Sequence, residues 1–156
     1  MASQNFRAGV VVVVRHPHNG RILAFERGDS RGSWQLPQGG LDADEDPVET
    51  AWRELEEETG LHAEHVEVRA EFPEWVAYEW PSAVRADERN RHPGRAGGQR
   101  RGQVQKWFLF DAKAADITPT PDGREFVAWR WVDPEWLIEH VVEWRRDAYR
   151  KVLTSL

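Results

Sequence analysis

The stretch GGLDADEDPVETAWRELEEETGL, residues 39–61, decides how the rest of this chain is organised. Its second half, Arg53-Glu54-Leu55-Glu56-Glu57-Glu58-Thr59-Gly60-Leu61, packs four glutamates into five positions. At about 3.6 residues per helical turn, Glu54, Glu57 and Glu58 stand at i, i+3 and i+4 and share one face. Three carboxylates on one face repel one another unless a cation sits among them, and hard oxygen ligands of this kind suit Mg2+ or Mn2+. The competing reading is a solvated acidic face, the commoner fate of a run of like charge.

The same residues specify the helix. Asp46-Pro47-Val48-Glu49 is a start signal, with Asp as N-cap, Pro at the first helical position and Glu at N3 closing a capping-box-like pair. Val48, Ala51, Trp52 and Leu55 follow at helical spacing as an apolar stripe, and Gly60 ends the helix. The glutamates fall on a different face from that stripe. They are expected to stay out of the core and line a cleft.

Gly39, five residues, Glu45, seven residues, Arg53-Glu54-Leu55, one residue, Glu57-Glu58, one residue and Gly60-Leu61 fill all nine defined positions of a 23-residue signature. In this the stretch resembles the Nudix box. The resemblance implies an α/β fold, an α/β/α sandwich with a mixed β-sheet beside a loop-helix-loop motif. It also implies hydrolysis of a nucleoside diphosphate linked to another group, with divalent metal held by Glu54, Glu57 and Glu58. A backbone carbonyl of the preceding turn joins that shell, from Gln38 or Gly39, with Gly39 the position taken. Such ions lower the pKa of a water and neutralise charge building at phosphorus, so that in-line attack cleaves a P–O–P bond. Arg53 and Glu45 are expected to orient the helix and its glutamates. The general base is a box glutamate, Glu57 by preference, or Glu125.

At 156 residues the chain has the size of one domain with a proper core, and residues 1–156 are read as a single unit. The net charge of −6, from 27 acids against 21 bases, gives no global basic signature, and no DNA partner is expected. The absence of cysteine excludes disulfides, thiol catalysis and zinc–thiolate sites. The start MASQNFRAG has no signal-peptide pattern and no apolar run approaches a membrane span, so a cytoplasmic protein is the expectation.

Working outward, Val10 to Val14 is a β-branched run too short for a helix and reads as a buried strand. Asn19-Gly20 marks a turn, with a second strand from Arg21 to Arg27. His16 and His18 read as exposed turn residues, and Arg27 either faces solvent or reaches an anionic substrate. Ser33-Trp34-Gln35-Leu36-Pro37-Gln38-Gly39-Gly40 leads into the box, its paired glycines allowing a sharp turn and a close approach. This wording is similar to the branch of the family containing bacterial RNA 5′-pyrophosphohydrolases and dinucleoside polyphosphate hydrolases.

Downstream, Val66 to Trp80 alternates as one or two strands, with Trp75, Tyr78 and Trp80 read as packing residues rather than base-stacking ones. Ser82 to Gln103, rich in Arg and Gly, reads as a long mobile loop. Its six arginines form either a positive field for a polyphosphate or RNA 5′ end, or a solvated surface. Gly102 to Phe110 is a central strand, again similar to the same branch in its Gln-Lys-Trp-Phe, where Lys106 is either a phosphate contact or an ordinary strand lysine. Val127 to Val132 is a strand with Trp129 and Trp131 on one side and Arg130 on the other. A short helix opens at Asp133-Pro134 and runs to about His140, and a second is expected over Val141 to Leu153. By resemblance, Glu125 assists the metal site or acts as base, Trp144 and Arg145 grip a base near an RNA 5′ end, and Arg7 meets phosphate. Two substrates therefore compete, 5′-triphosphate RNA and diadenosine polyphosphates. A non-catalytic Nudix-fold binding module would show a degenerate box, and here every box glutamate is present.

Overall fold

The computed structural model describes residues 6–91 and 100–156, with the backbone alone over 88–91. Five valines set its centre. Val10, Val12 and Val14 point to one side of strand β1 (Phe6–Arg15), while Val11 and Val13 point to the other, and none is more than 1% exposed. A continuous apolar run can only be satisfied where both faces of the sheet are covered, each buried Val contributing roughly 1.5–3 kcal/mol.

Among the described residues seven further strands join the sheet: β2 (Ile22–Arg27), β3 (Trp34–Gln35), β4 (Gln38–Gly40), β5 (Val66–Glu71), β6 (Val76–Glu79), β7 (Gly102–Ala112) and β8 (Phe126–Val132). The strand order is β3-β2-β1-β7-β5, with β4 also on β1, β6 on β7 and β8 on β2. β1 and β7 run parallel from Phe6↔Gly102 to Arg15↔Asp111, and the other pairs are antiparallel, so the sheet is mixed.

Helix α1 (Pro47–Thr59) covers the face of Val10, Val12, Val14, Phe108 and Phe110 through Ala51 and Leu55. Helices α3 (Pro134–His140) and α4 (Arg146–Leu153) cover the opposite face, placing Leu137, Ile138, Tyr149 and Val152 against Val11, Val13 and Trp107. The expected α/β/α layering is present. Trp129 and Trp131 lie against the α1-side core, whereas Arg130 stacks over Trp136 on the other face.

Three expectations are corrected. Ser82–Arg91 is a helix, α2, and not part of a loop. Pro81 accepts its first backbone bond, from Arg85, and the Arg85 guanidinium is anchored on Trp80 O and Glu79. The Gly and Pro residues that suggested a loop cluster at 93–98, which with Arg95 lies outside the described residues, as do the Arg89 and Arg91 side chains. Second, Val141 to Leu153 is not one helix. Val141 and Val142 are extended (ψ 154° and 141°), a 3-10 turn spans Glu143–Arg145, and α4 follows. The break buries Val141 in the core beyond α3 and turns Arg145 inward. Third, Gln38–Gly40 makes no sharp turn but a short strand antiparallel to β1.

Candidate active site

Helix α1 begins as its sequence dictates. Asp46 is extended and its carboxylate accepts the Val48 N–H at 3.1 Å. At the other end Gly60 takes φ 73° and donates its N–H to Glu56 O, a conformation that strains any residue with a Cβ. No reciprocal bond from Glu49 to Asp46 occurs among the described residues, so the N-terminus is capped from one side only.

The three glutamates do not share one environment. Glu57 is the open one, its side chain 58% exposed, whereas that of Glu54 is 13% exposed. Glu58 is 5% exposed. It continues the buried line Ala51-Leu55-Glu58 at i, i+4 and i+7, which corrects the expectation that all three stand clear of the core. Backbone holds it there: the Gln38 N–H donates to Glu58 Oε1 at 3.0 Å, and the Asp122 N–H donates to Glu58 O at 3.2 Å.

β4 supplies the opposite wall, and its glycines are needed for space. A Cβ on Gly39 would fall 1.9 Å from Glu54 Cδ, and one on Gly40 would fall 2.4 Å from Arg7 Nη2. Only a residue without a side chain lets the strand backbone lie directly against the glutamate.

Arg53 organises the acids from behind. Its Nε and Nη2 donate to Glu45 at 3.0 and 2.9 Å, its Nη1 to Glu54 Oε1 at 2.8 Å, and Nη2 also reaches Gly40 O at 3.3 Å. Glu57 and Asp42 lie 3.6 Å away. The Arg53 hydrogen bonds hold the Glu45 carboxyl down at about 2, and Glu45 in turn raises the Arg53 guanidinium. Thus one side chain ties the loop before α1, the β4 backbone and the glutamate row into a single unit.

Charge is stored on the other side. Burial pushes Glu58 up to about 9, with Glu54, Glu125 and Asp122 adding repulsion against the single opposing Gln38 N–H. Burial also raises Glu54, partly countered by Arg53. Carboxylates forced together in this way, beside a backbone cradle that a Cβ would fill, suit a hard divalent cation, which would reverse these shifts. The residues present fit such an ion.

A cavity of about 540 Å³ opens over this row. Glu54, Glu57, Glu58, Gln38 and Gly39 form one end, joined by Asp122 and Glu125. Asp122 accepts the backbone N–H groups of Arg124 and Phe126, both at 3.0 Å, which shapes the turn presenting Glu125. Arg7, Arg27 and Arg145 supply positive charge, and Trp80, Val84, Val142 and Trp144 an apolar wall. Arg27 is braced by both Asp29 oxygens at 2.9 and 2.8 Å. Arg145 is only 8% exposed, and its partners are neutral, Gln35 at 2.5 Å and Tyr78 OH at 3.1 Å. No carboxylate among the described residues forms an ion pair with it.

Of the residues named from sequence, the structure gathers Arg7, Arg27, Gly39, Glu54, Glu57, Glu58, Glu125, Trp144 and Arg145 around this cavity, with Arg53 immediately behind. Lys106 is not among them. It shares the strand face of Phe108 and Phe110, is 9% exposed, and has Glu71 at 3.8 Å. Asp122, Gln35, Gln103 and Asp87 line the cavity without having been singled out, as do Gln38, named as the alternative to Gly39 for the carbonyl, and Trp80, named only as a packing residue. The Asp122-Gly123 turn was a usable signal for the first. Glutamines within strands carry none.

Compared with known proteins, the chain matches the NUDIX domain family over residues 5–152. It is 40% identical over 151 residues to the RNA pyrophosphohydrolase of Cereibacter sphaeroides, an alignment covering 94% of this chain and 86% of that protein. To Nudix hydrolase 26, chloroplastic, of Arabidopsis thaliana it is 39% identical over 140 residues, covering 86% of this chain and 62% of the longer plant protein. Among solved structures, the E. coli dihydroneopterin triphosphate pyrophosphohydrolase superposes with a TM-score of 0.74 at 21% identity, over 97% of this chain and 99% of that one. That last likeness is one of fold. Among the described residues no helix is long and apolar enough to cross a membrane.

Proposed function

This chain belongs to the Nudix family and is a metal-dependent pyrophosphohydrolase, and from that premise we propose that it removes pyrophosphate from 5′-triphosphate RNA, leaving a 5′-monophosphate end. The observation that carries the reading is Arg145, a buried cation with neutral partners only, lining with Trp144 the same cavity as the glutamates. A buried guanidinium without a counter-charge costs several kcal/mol unless an anion completes it, and an adjoining indole offers a base a stacking surface. A phosphorylated 5′ nucleotide satisfies both. The name carried by the Cereibacter relative, at 40% identity over 94% of this chain, supports RNA as the bearer of that end. A cytoplasmic location goes with this substrate.

Glu54, Glu57, Glu58 and the Gly39 carbonyl would hold the metal, Mg2+ or Mn2+ by their hard oxygen chemistry. When bound, such an ion neutralises phosphate charge and lowers the pKa of a water. Everything else falls to side chains. Arg53 keeps Glu54 in place from behind; Glu57, the most exposed of the three, takes a proton as general base, with Glu125 the second candidate. Arg7, Arg27 and Arg145 hold the polyphosphate for in-line attack. Lys106 drops out of the substrate set because it does not line the cavity and its ammonium lies 3.8 Å from Glu71.

The test compares kcat/KM on 5′-triphosphate RNA and on diadenosine tetraphosphate with Mg2+ at equal enzyme. Cleavage of RNA to a monophosphate end with release of pyrophosphate is the expected result. Cleavage of the dinucleotide alone would replace RNA by a dinucleoside polyphosphate as the substrate.

A further inference from the structure

Two of the three cavity arginines meet at one atom. Gln35, 1% exposed on β3, accepts Arg27 Nη1 at 2.7 Å and Arg145 Nη1 at 2.5 Å on the same oxygen, Oε1. A carbonyl oxygen has two lone pairs, and both are used. The two guanidiniums come from positions 27 and 145 and repel each other, yet they converge on a single neutral acceptor. Each is held again on its far side: Arg27 by Asp29, Arg145 by the Tyr78 hydroxyl, which itself donates to Gln103.

We infer that Gln35 is a positioning residue for the polyphosphate, fixing Arg27 and Arg145 as a two-pronged anion clamp in the cavity that the glutamate row also lines. The inference rests on the phosphate-binding part of the proposed function. What makes glutamine the right residue is its neutrality. It orients both cations without adding a negative charge of its own to the Asp29 carboxylate that already pairs with Arg27. A glutamate there would keep both hydrogen bonds, and strengthen them, but would place a negative charge where the phosphate is to be held. A methionine would fill the same volume and let the guanidiniums part.

The two substitutions separate positioning from mere packing, because they rank differently on the two scales. Fold stability should run Gln and Glu together, with Met lower, since Met leaves two buried donors unmet. Anion affinity should run Gln, then Met, then Glu.

The experiment titrates inorganic tripolyphosphate into metal-free wild type, Gln35→Glu and Gln35→Met by calorimetry. It then measures KM and kcat on 5′-triphosphate RNA with Mg2+, and Tm for each protein. For Gln35→Glu we expect affinity to weaken roughly 30- to 100-fold, the size of one added unit charge about 6 Å from the phosphate at an effective dielectric near 20. KM should rise in parallel while kcat stays within about threefold and Tm is unchanged, since only binding is affected. Wild-type affinity and KM retained by Gln35→Glu would overturn the role of Gln35 alone. A wild type that binds no tripolyphosphate and leaves triphosphate RNA intact would overturn the clamp and the RNA reading together.

Discussion

Replacing Glu58 by glutamine should abolish catalysis and, in the metal-free protein, stabilise the fold. Glu58 is 5% exposed and pushed up to about 9, chiefly by burial and then by Glu54, Glu125 and Asp122. Its folded pKa therefore lies above the unfolded value near 4.5. Between these two pH values the folded chain keeps a proton that the unfolded chain has released, so stability falls as pH rises through the window. At pH 8 the cost is bounded by about 3.5 pKa steps of roughly 1.36 kcal/mol, close to 5 kcal/mol, and relaxation around the carboxylate brings it to about 2–5 kcal/mol. Glutamine has the same shape and its carbonyl can still accept the Gln38 N–H, so it escapes that penalty. For a chain of this size the gain corresponds to a Tm higher by about 5–15 °C at pH 8. Scanning calorimetry in EDTA from pH 5 to pH 9 measures it. The wild-type Tm should fall with pH, that of Glu58→Gln should stay nearly flat, and the gap should close towards pH 5. Added Mg2+ should narrow the gap at pH 8 by letting the wild-type carboxylate ionise. Parallel Tm curves for the two proteins in EDTA would refute the assignment of Glu58 as a buried, strained carboxylate.

Other parts of the site make sharper demands on geometry than on charge. Gly39→Ala should cut kcat about 100-fold, because the new Cβ falls 1.9 Å from Glu54 Cδ and must displace it, and a displacement near 1 Å costs about that much. Circular dichroism would show whether the fold persists while activity is lost. Arg53→Lys retains the charge but not the fork that spans Glu45, Glu54 and Gly40 O, so kcat should fall at least tenfold, as a lysine cannot make those bonds together. Steady-state kinetics with saturating RNA would check it. Lys106→Ala should leave kcat/KM within about threefold, as expected of a side chain that does not line the cavity. A larger loss would return Lys106 to the substrate set.

Much of the architecture was legible because it rests on short-range rules. The Asp46-Pro47 start, the Gly60 stop and the i, i+3, i+4 spacing of Glu54, Glu57 and Glu58 are properties of one helix. The valine run demands cover on both faces wherever it lies, and so implies layers on either side of a sheet. Motif spacing brought out the glutamate row, charge raised Arg27 as a candidate, and the family resemblance supplied Arg7 and Arg145, which line the same cavity. Misreadings came where composition was averaged over a boundary. The glycines at 94, 97 and 98 lent their loop character to the helical Ser82–Arg91, and helix-compatible residues on both sides concealed the extended pair Val141-Val142.

By itself, then, the sequence determined the helix that carries the glutamate row, from spacing within a few turns of chain, and the mixed layered fold and the class of chemistry through the family resemblance that this spacing carries. Only the tertiary structure decided that Glu58 is buried while Glu57 is open, because burial depends on which strand and turn come to lie over each residue of one helical face. It also decided that Lys106 stays outside the cavity and that Gln35 joins Arg27 to Arg145, 110 residues beyond Gln35. Such pairings are set by the register of strands and the path of distant loops. A hydrogen bond between residues far apart in the chain leaves no periodicity by which either partner could be found.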